Sequence, residues 1–177
     1  VIVNSWDKFL EACGDIAKGG HKFQTIVIDT FDNLIDLCAE WVCKEKEIEH
    51  VADLPMGKGY GFVNTHIRQK INKLAQLGYA VILVSHCDLV EVETKTKKFN
   101  KYTISVSGRN KSFALGLPDY ILFIDSVIKD NEEVRLIRTK PSMYWDAGDR
   151  SNKLPAELPL SYPELAKYFK QEEAVNV

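Results

Sequence analysis

Two short apolar runs constrain this 177-residue chain more than any other feature. Thr25-Ile26-Val27-Ile28 ends at Asp29-Thr30, and Ala80-Val81-Ile82-Leu83-Val84 ends at Ser85-His86. Continuous runs of β-branched and aliphatic residues suit strands buried on both faces of a parallel sheet. Between them, apolar residues recur at helical spacing, first at Phe31, Leu34, Ile35, Cys38, Trp41 and Val42, then at Val63, Ile67, Ile71, Leu74 and Leu77 before Gly78. Strand, long helical crossover and strand together predict a right-handed βαβ unit, and so an α/β core.

The flanking sequence extends this pattern. Ser5 caps a predicted amphipathic helix through Trp6, Phe9, Leu10, Cys13 and Ile16, which Gly19-Gly20 ends. The stretch from Lys44 to Gly61 reads as a charged helix end followed by a loop. After Asp88 the texture alternates, with Val90, Val92 and Thr94, a polar tip, then Tyr102, Ile104 and Val106, predicting a two-stranded ribbon. Strands follow at 120–124 and 134–138 around a polar turn at 129–133, and Ser161-Tyr162-Pro163-Glu164 opens a short helix through Phe169. The last residues are expected to fray. With no repeat, low-complexity segment or second boundary, 1–177 reads as one domain, and the opening Val1-Ile2-Val3 reads as the tail of a strand belonging to a longer protein.

A net charge of −2 gives no global attraction to nucleic acid or anionic lipid, so any such contact must be local. No apolar run approaches the roughly 20 residues of a membrane span, and the start lacks the layout of a secretory signal. The four cysteines form no CxxC pair, and Cys13 and Cys38 fall on apolar helix faces. Reduced thiols in a cytoplasmic protein, with no membrane partner, are the expectation.

In open α/β sheets, ligands bind beyond the carboxyl ends of the strands. Asp29-Thr30 and Ser85-His86 both fall there. An acid after an apolar strand fits the Walker B role of holding the hydration shell of Mg2+ beside the phosphates of ATP, with His86 next to it as a γ-phosphate sensor. Two plainer readings stay open: Asp29 or Thr30 as a helix cap, and His86 as a hydrogen-bonded residue at a strand end. The phosphate loop such a site needs, GxxxxGK[ST], does not occur. Gly57-Lys58-Gly59-Tyr60-Gly61 only imitates it: Gly59 follows the lysine, and no buried strand leads in.

The runs TIVIDTFDNL, HVADLPMGKGYGF, AVILVSH and RTKPSMYWDAGDRSNKLP, in this order, resemble phage-encoded, RecA-like ATP-binding proteins linked to recombination and single-strand annealing. The resemblance covers roughly Ser5 to Phe169. It implies a RecA-like P-loop NTPase core, a mostly parallel sheet flanked by helices, with a β-ribbon and antiparallel strands toward the C-terminus. It implies ATP and Mg2+ as cofactors, with Asp29 as the Walker B acid and His86 as the sensor. Lys140 resembles a basic position that reaches nucleotide on a neighbouring subunit of a homo-oligomer, and Arg150 is a second candidate, both readable otherwise as loop surface charges. The Walker A loop and the catalytic glutamate of this family lie upstream of Val1, so the chain as given is expected to bind ATP poorly.

Lys95, Lys97, Lys98 and Lys101 crowd the ribbon tip with Phe99 and Tyr102 interleaved, and Arg109 with Lys111 follows. Cations neutralise phosphates and aromatic rings stack on unpaired bases, so single-stranded DNA is the candidate partner, while the alternative is a tip charged against edge pairing. Two other functional classes remain: a non-catalytic assembly module of RecA-like shape, and another P-loop motor.

Overall fold

The computed structural model describes residues 1–169, and the expected fraying of the final residues lies outside them. The described residues form two compact units: 1–86 with 105–113, and 87–104 with 114–169.

In the first unit, α1 (Trp6–Lys18) starts where the Ser5 hydroxyl accepts the Lys8 amide at 3.2 Å and stops at Gly19, whose φ is 70°. Residues 1–4 carry no strand, and Val1 and Ile2 are exposed. Strand β1 (Thr25–Asp29) leads into α2 (Phe31–Lys46), and α3 (Lys58–Gln76) leads into β2 (Ala80–Val84). Phe31, Leu34, Cys38 and Val42 of α2 meet Val63, Ile67, Ile71 and Leu74 of α3 in a buried layer closed by Trp6 and Phe9 of α1. Each buried aliphatic side chain in such a layer contributes about 1.5–3 kcal/mol. Burial pushes the Cys38 thiol up to about 12, which keeps it protonated and inert.

β1 and β2 pair in parallel from Thr25 beside Ala80 to Asp29 beside Val84. Ile28 is buried on one face, whereas Val27 and Ile82 on the other are 56% and 48% exposed. The expected burial on both faces therefore holds for one face only. The helices that touch these strands, α2 and α3, also pack on each other and so share one side of the sheet.

The loop expected up to Gly61 is largely ordered. Two 3-10 turns, Val51–Asp53 and Pro55–Gly57, precede α3, which begins at Lys58 and takes Gly59 and Gly61 into its first turn. Helix α4 (Gly108–Gly116) was not expected, because its sequence GRNKSFALG is glycine-bounded and has little apolar periodicity. A polar contact anchors it: the buried Asn64 amide donates to the Asn110 side-chain oxygen at 2.8 Å.

In the second unit, β3 (Cys87–Glu93) and β4 (Lys98–Ile104) form the expected antiparallel ribbon. Strand β5 (Tyr120–Ile121) is followed by β6 (Phe123–Lys129) and β7 (Glu132–Arg138), which meet at a two-residue turn where Asp130 and Asn131 have φ of 53° and 63°. β5 pairs with β8 (Gly148–Asp149), and β7 pairs with β9 (Glu157–Pro159). Ile137, Leu154 and Leu158 make the core, against which α5 (Tyr162–Phe169) lays Leu165 and Tyr168. The antiparallel strands expected toward the C-terminus are thus present, extended beyond 120–124 and 134–138, while the parallel sheet has two strands.

Candidate functional site

The parallel register fixes the site. Asp29 is the last residue of β1 and sits beside Val84, the last of β2, so Asp29-Thr30 and Ser85-His86 leave the same carboxyl edge of adjacent strands. Side chains alternate along a strand, so the exposed Asp29 shares the open sheet face with Val27 and, across the pair, with Ile82 and Val84. Thr30 follows through a cis peptide and caps α2, its hydroxyl accepting the Asn33 amide at 3.4 Å. Of the two cap candidates, the cap bond is made by Thr30.

Several hydrogen bonds hold His86. Its carbonyl accepts from the Ser85 hydroxyl at 3.0 Å and from the Ser105 amide at 2.8 Å. Its own amide donates to Asp32 Oδ1 at 3.2 Å, and its Nδ1 lies 2.7 Å from Asp32 Oδ2. Burial pushes the Asp32 carboxyl up, but hydrogen bonds from the His86 ring, from backbone amides and from the Thr30 hydroxyl outweigh it and hold the group below the usual carboxylate range. Sequence reading missed Asp32. The available signal was an acid three residues after Asp29, in the first turn of α2 and so next to the strand end.

The remaining candidates sit in the second unit or on α4. The Lys140 ammonium lies 3.1 Å from the Asp149 carboxylate, which has no solvent exposure, and 3.2 Å from the Asn152 side-chain oxygen. Arg150 donates to the carbonyls of Gly116 and Leu117 and lies 3.4 Å from Asp119, so its guanidinium closes the chain after α4. On the ribbon, Lys98 pairs with Glu93 at 3.2 Å and with Glu91 at 3.8 Å, and Lys101 pairs with Asp146 at 2.6 Å. Lys95 and Lys97 occupy the exposed tip, where the Thr94 hydroxyl accepts the Lys97 amide at 3.0 Å. Arg109 and Lys111 lie in the first turns of α4, outside the ribbon.

Asp29 fits an oxygen-liganded cation held mainly through water: one exposed carboxylate at a strand end suits magnesium, which keeps several waters and takes few protein oxygens. Among the described residues, no group of three or more His, Cys, Asp or Glu converges to cage a metal, and no helix is long and apolar enough to cross a membrane. All four cysteines are unpaired.

Comparison with known proteins adds three findings. The family described as "AAA domain" matches residues 1–151. An uncharacterized SPbeta prophage-derived protein, YorG of Bacillus subtilis (strain 168), is 29% identical over 89 residues, covering 48% of this chain and 28% of that protein. The match thus spans little more than a quarter of the relative's length. No solved structure matches.

Proposed function

Because the chain belongs to the AAA domain family, we propose that it forms the metal-facing and sensing part of an ATP site in a RecA-like ATPase of phage type. The observation that carries this reading is the placing of Asp29 and His86 at the same carboxyl edge of two paired parallel strands. P-loop ATPases place an acid and a polar residue at such an edge, where phosphates and their cation meet the sheet. The prophage origin of the relative agrees with a phage setting.

In this reading Asp29 holds Mg2+ through its water shell, and His86 contacts the terminal phosphate. When bound, Mg2+ would offset charge on the β- and γ-phosphates. The protein's own contribution is to place a carboxylate and an imidazole at one strand edge, with Thr30 and Ser85 bonded into the backbone and so shaping that edge. Lys140 and Arg150 have internal partners, so a role on a neighbouring subunit's nucleotide in a homo-oligomer requires that they exchange those partners for phosphate. The phosphate loop is not among these 177 residues, so the activity is proposed for the whole protein, acting in DNA recombination or single-strand annealing.

Steady-state ATP turnover by the whole protein tests this. Asp29→Ala is expected to lower kcat by about two orders of magnitude, in the range of losing one electrostatic group from a preorganised site. Equal turnover by the variant and the parent would remove Asp29 from the site. Absence of turnover in both would favour the non-catalytic assembly module.

A further inference from the structure

Both carboxylate oxygens of Asp32 engage His86, one through its amide and the other at Nδ1 of its ring, while the Thr30 hydroxyl and the Asp32 amide also bond the carboxylate. Asp32 is 15% exposed, whereas the imidazole it holds is 67% exposed. An acid in the first turn of a helix is already favoured by the helix dipole and needs no imidazole for that purpose. With its oxygens turned to His86, it is also not presented as a cation ligand, in contrast to the exposed Asp29.

We infer that Asp32 is a positioning residue for His86, fixing the ring orientation and the proton on Nδ1, so that Nε2 is the nitrogen a ligand meets. This rests on His86 being a nucleotide contact, as proposed above. An ionised carboxylate only accepts hydrogen bonds, so a ring nitrogen 2.7 Å away carries the proton. The neutral ring then accepts at Nε2, and the protonated ring donates there to a phosphate oxygen while Asp32 balances its charge. The bonds from Ser85 and Ser105 to the His86 carbonyl fix the backbone from which the ring hangs. Asp32 therefore acts through His86, as outer carboxylates act through ligating histidines elsewhere.

The test uses the whole protein labelled with 15N-histidine, with the His86 signals assigned by their loss in His86→Gln. At alkaline pH, two-bond proton–nitrogen correlations report which ring nitrogen is protonated. The expected result is the Nδ1–H form in the parent and a return toward Nε2–H, the form an unconstrained histidine favours, in Asp32→Ala. Nε2–H in the parent, or Nδ1–H retained in the variant, overturns the inference, and the parent spectrum decides even if the variant does not fold. Turnover by Asp32→Ala should fall on the order of 10- to 100-fold in kcat, with little change in KM for ATP. Adding a non-hydrolysable ATP analogue with Mg2+ separates the two readings. A shift at Nε2 supports both, whereas an Nδ1–H ring that saturating analogue leaves unmoved keeps Asp32 as the orienting group and removes His86 from the nucleotide site.

Discussion

Gly59 lies against Val51 so closely that a Cβ on it would sit 2.1 Å from the Val51 carbonyl oxygen and within 3 Å of two more backbone atoms. Gly61, two residues on in the same helix, has nothing within 4 Å of its Cβ position. The two glycines therefore answer oppositely to one substitution. Gly59→Ala forces the 3-10 turn at Val51–Asp53 off α3 and is expected to cost about 2–4 kcal/mol, in the range of overpacking a fixed backbone. Gly61→Ala removes only chain entropy from the unfolded state and should stabilise by about 0.5–1 kcal/mol. Chemical denaturation midpoints measure both, and similar midpoints for the two variants would show that the close approach is not present in solution.

That contrast marks how far the sequence could be read. The buried stripes of α2 and α3 were legible because each apolar residue falls on one face at helical spacing, and β1 and β2 because both are unbroken aliphatic runs. The Gly57–Gly61 segment was not, since glycine content argues for a loop unless one knows that Val51 will press against Gly59. Helix α4 escaped for a related reason: its anchor is a buried Asn64–Asn110 hydrogen bond between elements 46 residues apart, which has no local signature. At the candidate site, Asp29 and His86 stood out as polar residues ending apolar runs. Asp32 became visible only once α2 had turned its carboxylate back onto His86.

Asp149 sets an acid limit on the second unit. Burial pushes its carboxyl up, but the Ser151 hydroxyl, the Leu154 amide and Lys140 outweigh this and hold it well below its ordinary value of 3.8. A folded-state value below the unfolded one means that the stabilisation is complete above about pH 4 and is lost as pH falls through the folded-state value. Unfolding free energy of the parent should therefore drop as pH goes below about 4, and Asp149→Asn should be less stable at neutral pH with a shallower acid slope. Lys140→Ala keeps the other two donors and is expected to cost about 1–2 kcal/mol at neutral pH. Parallel acid slopes for the parent and Asp149→Asn, measured by denaturant titration from neutral to acid pH, would contradict the assignment.

The ribbon gives the sharpest reading of the proposed DNA contact, because its four lysines are not equivalent. Lys98 and Lys101 already face Glu91, Glu93 and Asp146, so phosphate would have to displace a carboxylate to reach them. Lys95 and Lys97 project from the exposed turn between β3 and β4, beyond those acids in sequence. A single strand meeting this tip would draw its electrostatic free energy mainly from these two, each neutralised phosphate adding about 0.7 to the dependence of log affinity on log salt. Lys95→Glu with Lys97→Glu in the whole protein should thus weaken single-strand binding and flatten the salt slope by about 1.4, whereas Lys98→Gln should leave the slope nearly unchanged. If all four lysines contributed alike, Lys98→Gln would flatten the slope as well. Fluorescence anisotropy of a labelled oligonucleotide across a salt series separates these outcomes, and an unchanged slope in the Lys95 and Lys97 double variant would take the ribbon out of any DNA-binding role.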